Sequence, residues 1–128
     1  MSGTSSFVAS TKAAQVASLG GNNLLGGAVS FTGANGGSWG DITLKETSPN
    51  GLVLGTLTST GKLDVTASGN LALNGPVNVR SLDLESTGGS ISQGADSTLV
   101  VSNGPTDLKA NGSITLDKAN DFNGTVNV

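Results

Sequence analysis

Cysteine, histidine and tyrosine are absent from this chain, and its aromatic residues are 3 Phe and 1 Trp. Without Cys there is no disulfide framework, which suits a reducing compartment and a long secreted fibre equally. Without His and Cys, catalysis loses its commonest general base and its thiol nucleophile. The shortage of rings bars an ordinary globular core, which draws much of its buried area from aromatics. Charge is scarce too: six Lys plus Arg stand against nine Asp plus Glu, a formal net charge of −3. That balance argues against a nucleic-acid partner. No apolar run exceeds a few residues, so a spanning helix is excluded and no membrane insertion is expected. The opening "MSGTSSFVASTKAAQ" lacks the basic start and apolar core of a signal peptide.

What remains must build the fold. The 128 residues amount to one domain, long enough for a real core. That core has to come from Leu, Val, Ile and Ala, with Gly, Asn, Ser and Thr supplying turn and strand chemistry. The apolar residues are too frequent and too evenly spaced for disorder.

From residue 37 onward the sequence keeps restarting. Short apolar–x–apolar triplets recur: Ile42-Thr43-Leu44, Leu52-Val53-Leu54, Leu63-Asp64-Val65, Leu71-Ala72-Leu73, Val77-Asn78-Val79 and Leu82-Asp83-Leu84. Ile91, Leu99-Val100-Val101, Leu108, Ile114-Thr115-Leu116 and Val126-Asn127-Val128 continue the series. Alternation at period two marks short strands with one buried face. The linkers "TASGN", "LNGP", "ESTGG", "SNGP" and "KANG" place Gly and Asn where φ is expected to turn positive. A slower beat lies over the fast one. Ile42, Leu63 and Leu82 stand about 20 apart, as do Leu52, Leu71 and Ile91, the period of one solenoid coil. A sandwich or barrel would call for longer strands, hairpin turns and aromatics. The fold expected is therefore all-β, a parallel β-helix of about 20-residue coils, filled by stacked aliphatics.

A third period joins the two ends of the sequence. An offset of 97 aligns residues 9–31 with 106–128, with six identities in twenty-three positions. They are Lys12/Lys109, Ala13/Ala110, Leu19/Leu116, Asn23/Asn120, Gly27/Gly124 and Val29/Val126. The echo implies a super-repeat of about five coils. It also decides "TKAAQVASLGG", which Thr11 and Gly20 could cap as a short helix. Its partner "LKANGSITLDK" follows the strand pattern, so Ala17 to Leu19 is expected as a strand.

Four stretches, "LDVTASGNLALNGPVNV", "STGGSISQGADSTLVV", "LKANGSITLDKANDFNGTVNV" and "NNLLGGAVSF", resemble the filamentous-haemagglutinin repeats of large secreted bacterial adhesins, the two-partner-secretion exoproteins. The resemblance covers roughly residues 17–128, and Asn120-Asp121-Phe122 is its most specific phrase. Residues 1–16 depart from the pattern and read as an atypical N-terminal segment or first coil. The copy at residues 22–31 lacks the aspartate and the phenylalanine. The resemblance implies a right-handed parallel β-helix, export by an outer-membrane secretion partner, and a place on a long adhesive or toxin-presenting stalk.

Several constellations bear on chemistry. Asp64, Asp83 and Glu85 are the nearest approach to a carboxylate cluster, such as β-helix lyases and hydrolases use. Asp64 and Asp83 both hold the outward middle of a triplet, about one coil apart. A solvated outer face that discourages edge pairing accounts for them better. "GGNNLLGG" and "GGSISQGAD" resemble a calcium-binding nonapeptide only superficially, and no nonapeptide repeat follows. Asparagines are expected to satisfy turn backbone instead. "SPNGL", residues 48–52, resembles the asparagine-proline-asparagine-glycine-isoleucine motif of two-partner secretion domains. Ser48 replaces the first Asn, and ordinary turn chemistry explains the stretch. Trp39, set among small polar residues, is the weak candidate for stacking on a sugar ring, with packing or capping preferred. Phe7, Phe31 and Phe122 are expected as interior or corner residues. No catalytic, cofactor or metal site is expected.

The functional expectation is a non-enzymatic stalk segment, secreted or on the bacterial surface. It would hold a functional tip away from the cell and contact a host surface protein or glycan. Ending on "TVNV" with no polar cap implies the remainder of a longer repeat chain, or a neighbour stacked on the open end. The alternatives are a carbohydrate-binding or carbohydrate-active β-helix and a self-stacking fibre protein.

Overall fold

The computed structural model describes residues 4–10 and 14–128. Every regular element among them is a strand, in the order β1 Ser5–Ala9, β2 Ala14–Asn23, β3 Ala28–Gly33, β4 Ser38–Glu46 and β5 Leu52–Thr58. There follow β6 Lys62–Ala67, β7 Leu71–Leu73, β8 Val77–Val79, β9 Ser81–Ser86 and β10 Ile91–Gln93. The last are β11 Leu99–Val101, β12 Thr106–Ala110, β13 Ile114–Thr115, β14 Asp121–Phe122 and β15 Val126–Asn127. All pairings are parallel and join strands one coil apart. The chain is a parallel β-helix of about five turns.

Three faces form each coil. One face stacks β2, β4, β6, β9, β12 and β15. The other two belong to a single bent sheet: β5, β7, β10 and β13 stack along one half, and β5, β8, β11 and β14 along the other. β3 and β5 are long enough to turn the corner between the halves, which is why Leu52 registers with Leu71 while Leu57 registers with Val77.

The period-two and period-twenty beats coincide in space. Ile42, Leu63 and Leu82 are in direct register, as are Leu52, Leu71 and Ile91. Leu63, Val65 and Leu84 are fully buried, Leu82 is 1% exposed, and Asp64 and Asp83 face outward between them. A narrow triangular interior leaves room only for side chains that stack on the same residue class one coil away. Leu, Val and Ile meet that demand without a single ring along most of the stack. Rings enter at the outer coils, with Phe7 stacked on Phe31 at 4.8 Å and Trp39 beside them in the first coils and Phe122 half-buried in the last.

Coil length varies. The step from Leu63 to Leu82 is short, and the step from Ala17 to Ile42 is several residues longer. This overturns the structural meaning of the long echo between the two ends. Register carries Ala17 through Ile42, Leu63 and Leu82 to Thr106, and one more coil carries it to Val126. The echo instead sets Ala17 on Ile114, which lies between those two positions and in the other sheet. Leu19 accordingly pairs with Leu44 in one sheet, while Leu116 follows β13 in the other. Val29 and Val126 likewise belong to different sheets. What does repeat is local: Asn23 Nδ2 donates to the Leu19 carbonyl at 2.7 Å, and Asn120 Nδ2 to the Leu116 carbonyl at 3.3 Å. The echo records a corner device used twice at different corners.

At the N-terminal end, Ser5–Ala9 stacks on Val29–Gly33 residue for residue, so it is part of the helix. β2 runs across the 16/17 boundary suggested by the sequence and contains Ala17 to Leu19, so that stretch is extended. Thr11, Lys12 and Ala13, the possible helix cap and two of the echoed positions, lie outside the described residues.

The linker glycines act differently from expectation. Among the described residues, positive φ occurs only at Asn35, Gly36 and Gly51. At Gly104, a Cβ would press on Ser81 and on the Arg80 carbonyl of the preceding coil. Gly124 stands in the same way over the backbone of Gly104. These glycines let successive bends nest at strand spacing, about 4.8 Å; left-handed backbone is not their purpose.

Candidate functional site

The fold brings the candidate carboxylates together. On the outer side of the β2–β15 face, Thr43, Asp64, Asp83, Asp107 and Asn127 occupy successive coils in one register. Beside that row runs a second, Lys45, Thr66, Glu85 and Lys109. Alternation along each strand dictates this placement, because Leu63, Val65, Leu82 and Leu84 take the inward positions.

Stacked like charges are offset locally. Lys62 Nζ lies 3.5 Å from Asp83 and 4.0 Å from Asp64, and Lys109 Nζ lies 3.1 Å from Glu85. Asn127 Nδ2 donates to Asp107 at 2.7 Å. A shallow groove of about 360 Å³ opens over Asp83, Glu85, Asp107, Lys109 and Asn127, and a smaller one of about 230 Å³ adjoins it beside Thr87 and Asn111. The carboxylates project side by side from one sheet. General acid and base in glycoside hydrolysis must instead flank the scissile bond from two sides. No group of three or more His, Cys, Asp or Glu among the described residues is placed to hold a metal ion.

Periodicity alone does not find Asp107, because the coil that carries Asp83 to it is longer than the beat counted from Ile42, Leu63 and Leu82. Glu46 is hidden as well. It continues the inward alternation of Ile42 and Leu44 and is fully buried. Its Oε2 accepts the Leu25 N–H at 2.7 Å and its Oε1 the Ser48 N–H at 2.8 Å. One carboxylate thus fixes two bends in adjacent coils. A charged residue at an inward phase of the alternation is the signal that points to it.

The remaining candidates resolve into packing and turns. Trp39 meets Phe31 edge-on at 5.3 Å and donates its indole N–H to the Thr32 carbonyl at 3.0 Å, so its ring is engaged with the interior. In "SPNGL", the Ser48 hydroxyl accepts the Asn50 N–H and the Ser48 carbonyl accepts the Gly51 N–H, which makes a tight corner. Asn120 accepts the Leu99 N–H and exchanges two hydrogen bonds with Gln93. Phe122 turns inward, half-buried against the core, while Asp121 is exposed and accepts from Asn123. The "QGAD" stretch ends in an exposed Asp96.

Comparison with known proteins adds one finding. No curated protein and no solved structure matches the chain. A family model described as repeats of unknown function (DUF5649) matches twice, over residues 39–81 and 69–128. The two overlapping matches follow the coil repeat across most of the length, and the chain belongs to that repeat family.

Proposed function

We propose that this chain is a structural stalk segment of a secreted bacterial adhesin or exoprotein, not an enzyme. One observation carries the reading: a column of aliphatic side chains in strict register runs through successive coils. Such a stack gains stability from nearest-neighbour contacts, so rod length can be added coil by coil without redesign. The similarity of "LKANGSITLDKANDFNGTVNV" and its companions to filamentous-haemagglutinin repeats supplies the adhesin context. A carbohydrate-active site is disfavoured because the acidic row lies along one flat face. Immunogold labelling of intact producing cells with antibodies to the full chain tests the proposal. Labelled extensions that protease removes from whole cells are expected; an exclusively internal pool would overturn it.

End-to-end self-assembly is a second reading, and partly buried apolar side chains in the outermost described coils favour it. The partly buried apolar residues include Phe7, Ala17, Leu19 and Leu25 in the first coils and Ile114, Leu116 and Phe122 in the last. Sedimentation velocity across a concentration series separates the readings. Filament growth supports assembly, and a constant monomer excludes it.

A further inference from the structure

Six Asn-Gly dipeptides punctuate the chain, at residues 35, 50, 74, 103, 111 and 123. In this sequence pair the glycine nitrogen can reach the asparagine side chain, because no Cβ obstructs the approach. Whether it does so depends on how firmly the fold holds both residues.

The solenoid restrains five of the six. Gly51 N–H and Gly112 N–H are engaged by the Ser48 and Gly89 carbonyls, so neither nitrogen is free. The backbone N–H groups of Asn74, Asn103 and Asn123 are tied to the preceding coil through Leu54, Arg80 and Val101. Asn35-Gly36 differs. Asn35 at φ 54° and Gly36 at φ 79° form the two-residue tip of a type I′ turn, closed by the Gly37 N–H on the Ala34 carbonyl. The base of that turn is anchored, since Ala34 N–H donates to the Ala9 carbonyl. Both tip residues are exposed.

We propose that Asn35-Gly36 is a site of spontaneous deamidation, the one Asn-Gly that the folded coil leaves reactive. The Gly36 nitrogen, losing its proton, bonds to the Asn35 side-chain carbonyl carbon, and the side-chain nitrogen leaves as ammonia. Water then opens the cyclic imide at either carbonyl, giving aspartate or isoaspartate at position 35. The isoaspartate product inserts an extra methylene into the turn that leads to Trp39, and both products add a negative charge. Because Trp39 is the sole Trp and bonds the Thr32 carbonyl on the other arm of the turn, its fluorescence reports the rearrangement.

The test is peptide mapping by mass spectrometry of the full chain held in mildly alkaline buffer, with isoaspartate detected by enzymatic methyl transfer. In the folded protein the peptide containing residue 35 is expected to convert several-fold faster than the other five. In strong denaturant the six should converge. The Asn35→Gly variant should lose the methyl-accepting signal from that peptide and keep the native fold, because Gly takes up left-handed backbone freely. Faster conversion at any other Asn-Gly in the folded chain would overturn the proposal, as would six equal rates there.

Discussion

Replacing Glu46 by Gln changes almost no volume and removes one acceptor from the interior. The carboxylate accepts from Leu25 N–H with one oxygen and from Ser48 N–H with the other, at 2.7 and 2.8 Å, in a site with no solvent exposure. A Gln offers one carbonyl oxygen and an NH₂ group, so one backbone donor would face another donor. The charge-assisted bond forfeited is worth about 1.5–3 kcal/mol, and the stranded N–H adds up to about 1–3 kcal/mol. Neighbouring effects overlap, so the combined loss should be about 2–4 kcal/mol.

For a chain of this length a loss of that size lowers the melting temperature by on the order of 10 °C. The damage should also be local, because the two bends belong to the first coils and solenoid stability is a sum over neighbours. Circular dichroism should show the fall in melting temperature. Hydrogen exchange should show faster exchange before residue 50 than in β9 to β12. Glu46→Ala, which strands both donors, should be at least as unstable. A Glu46→Gln protein that melts within about 1 °C of the parent would refute the argument that this carboxylate fastens the coils.

Further outcomes are expected at other positions. Phe122→Ala should cost about 1–3 kcal/mol, below the ~3–5 kcal/mol of an enclosed ring, because Phe122 is only half-buried; Asp121→Ala should stay within about 0.5 kcal/mol in denaturant melts. Thr106→Val should stabilise by about 1 kcal/mol, since the fully buried Thr106 hydroxyl has no partner and the position stacks on Leu82; a loss instead would show that the hydroxyl is satisfied. Gly51→Ala should cost at least about 2 kcal/mol, because φ is +86° and a Cβ would run into the Asn70 backbone. Thermal melting should be unchanged by a chelator, and a large drop would establish a structural metal.

The architecture is legible because two periodicities that a sequence displays openly are the ones that matter in a coil. Alternation at two sets which side chains point inward, and a beat near twenty sets which residue lies above which. Ile42, Leu63 and Leu82 can be stacked from their spacing, as can Leu52, Leu71 and Ile91. Legibility fails where coil length drifts. Asp107 belongs to the acidic row but cannot be read into it from sequence, because the coil after Asp83 outruns the beat, and the end-to-end echo, taken as a whole number of coils, is not one.

Glycine shows why the corners are harder to read than the faces. A glycine in a linker has two physical uses, freedom of φ and absence of a Cβ, and composition cannot separate them. In an isolated hairpin the first use dominates; in stacked coils each bend must lie against another bend at strand spacing, and the second takes over. Gly104 and Gly124 follow that rule, Gly36 keeps the older one, and Gly51 serves both, with φ +86° and the Asn70 backbone where a Cβ would stand. The same geometry separates the Asn residues. Asn23 and Asn120 face inward corners and bond backbone there, whereas Asn35 sits at the exposed tip of a turn. What lies one coil away therefore decides the role of a linker glycine in this protein as much as the residues beside it do.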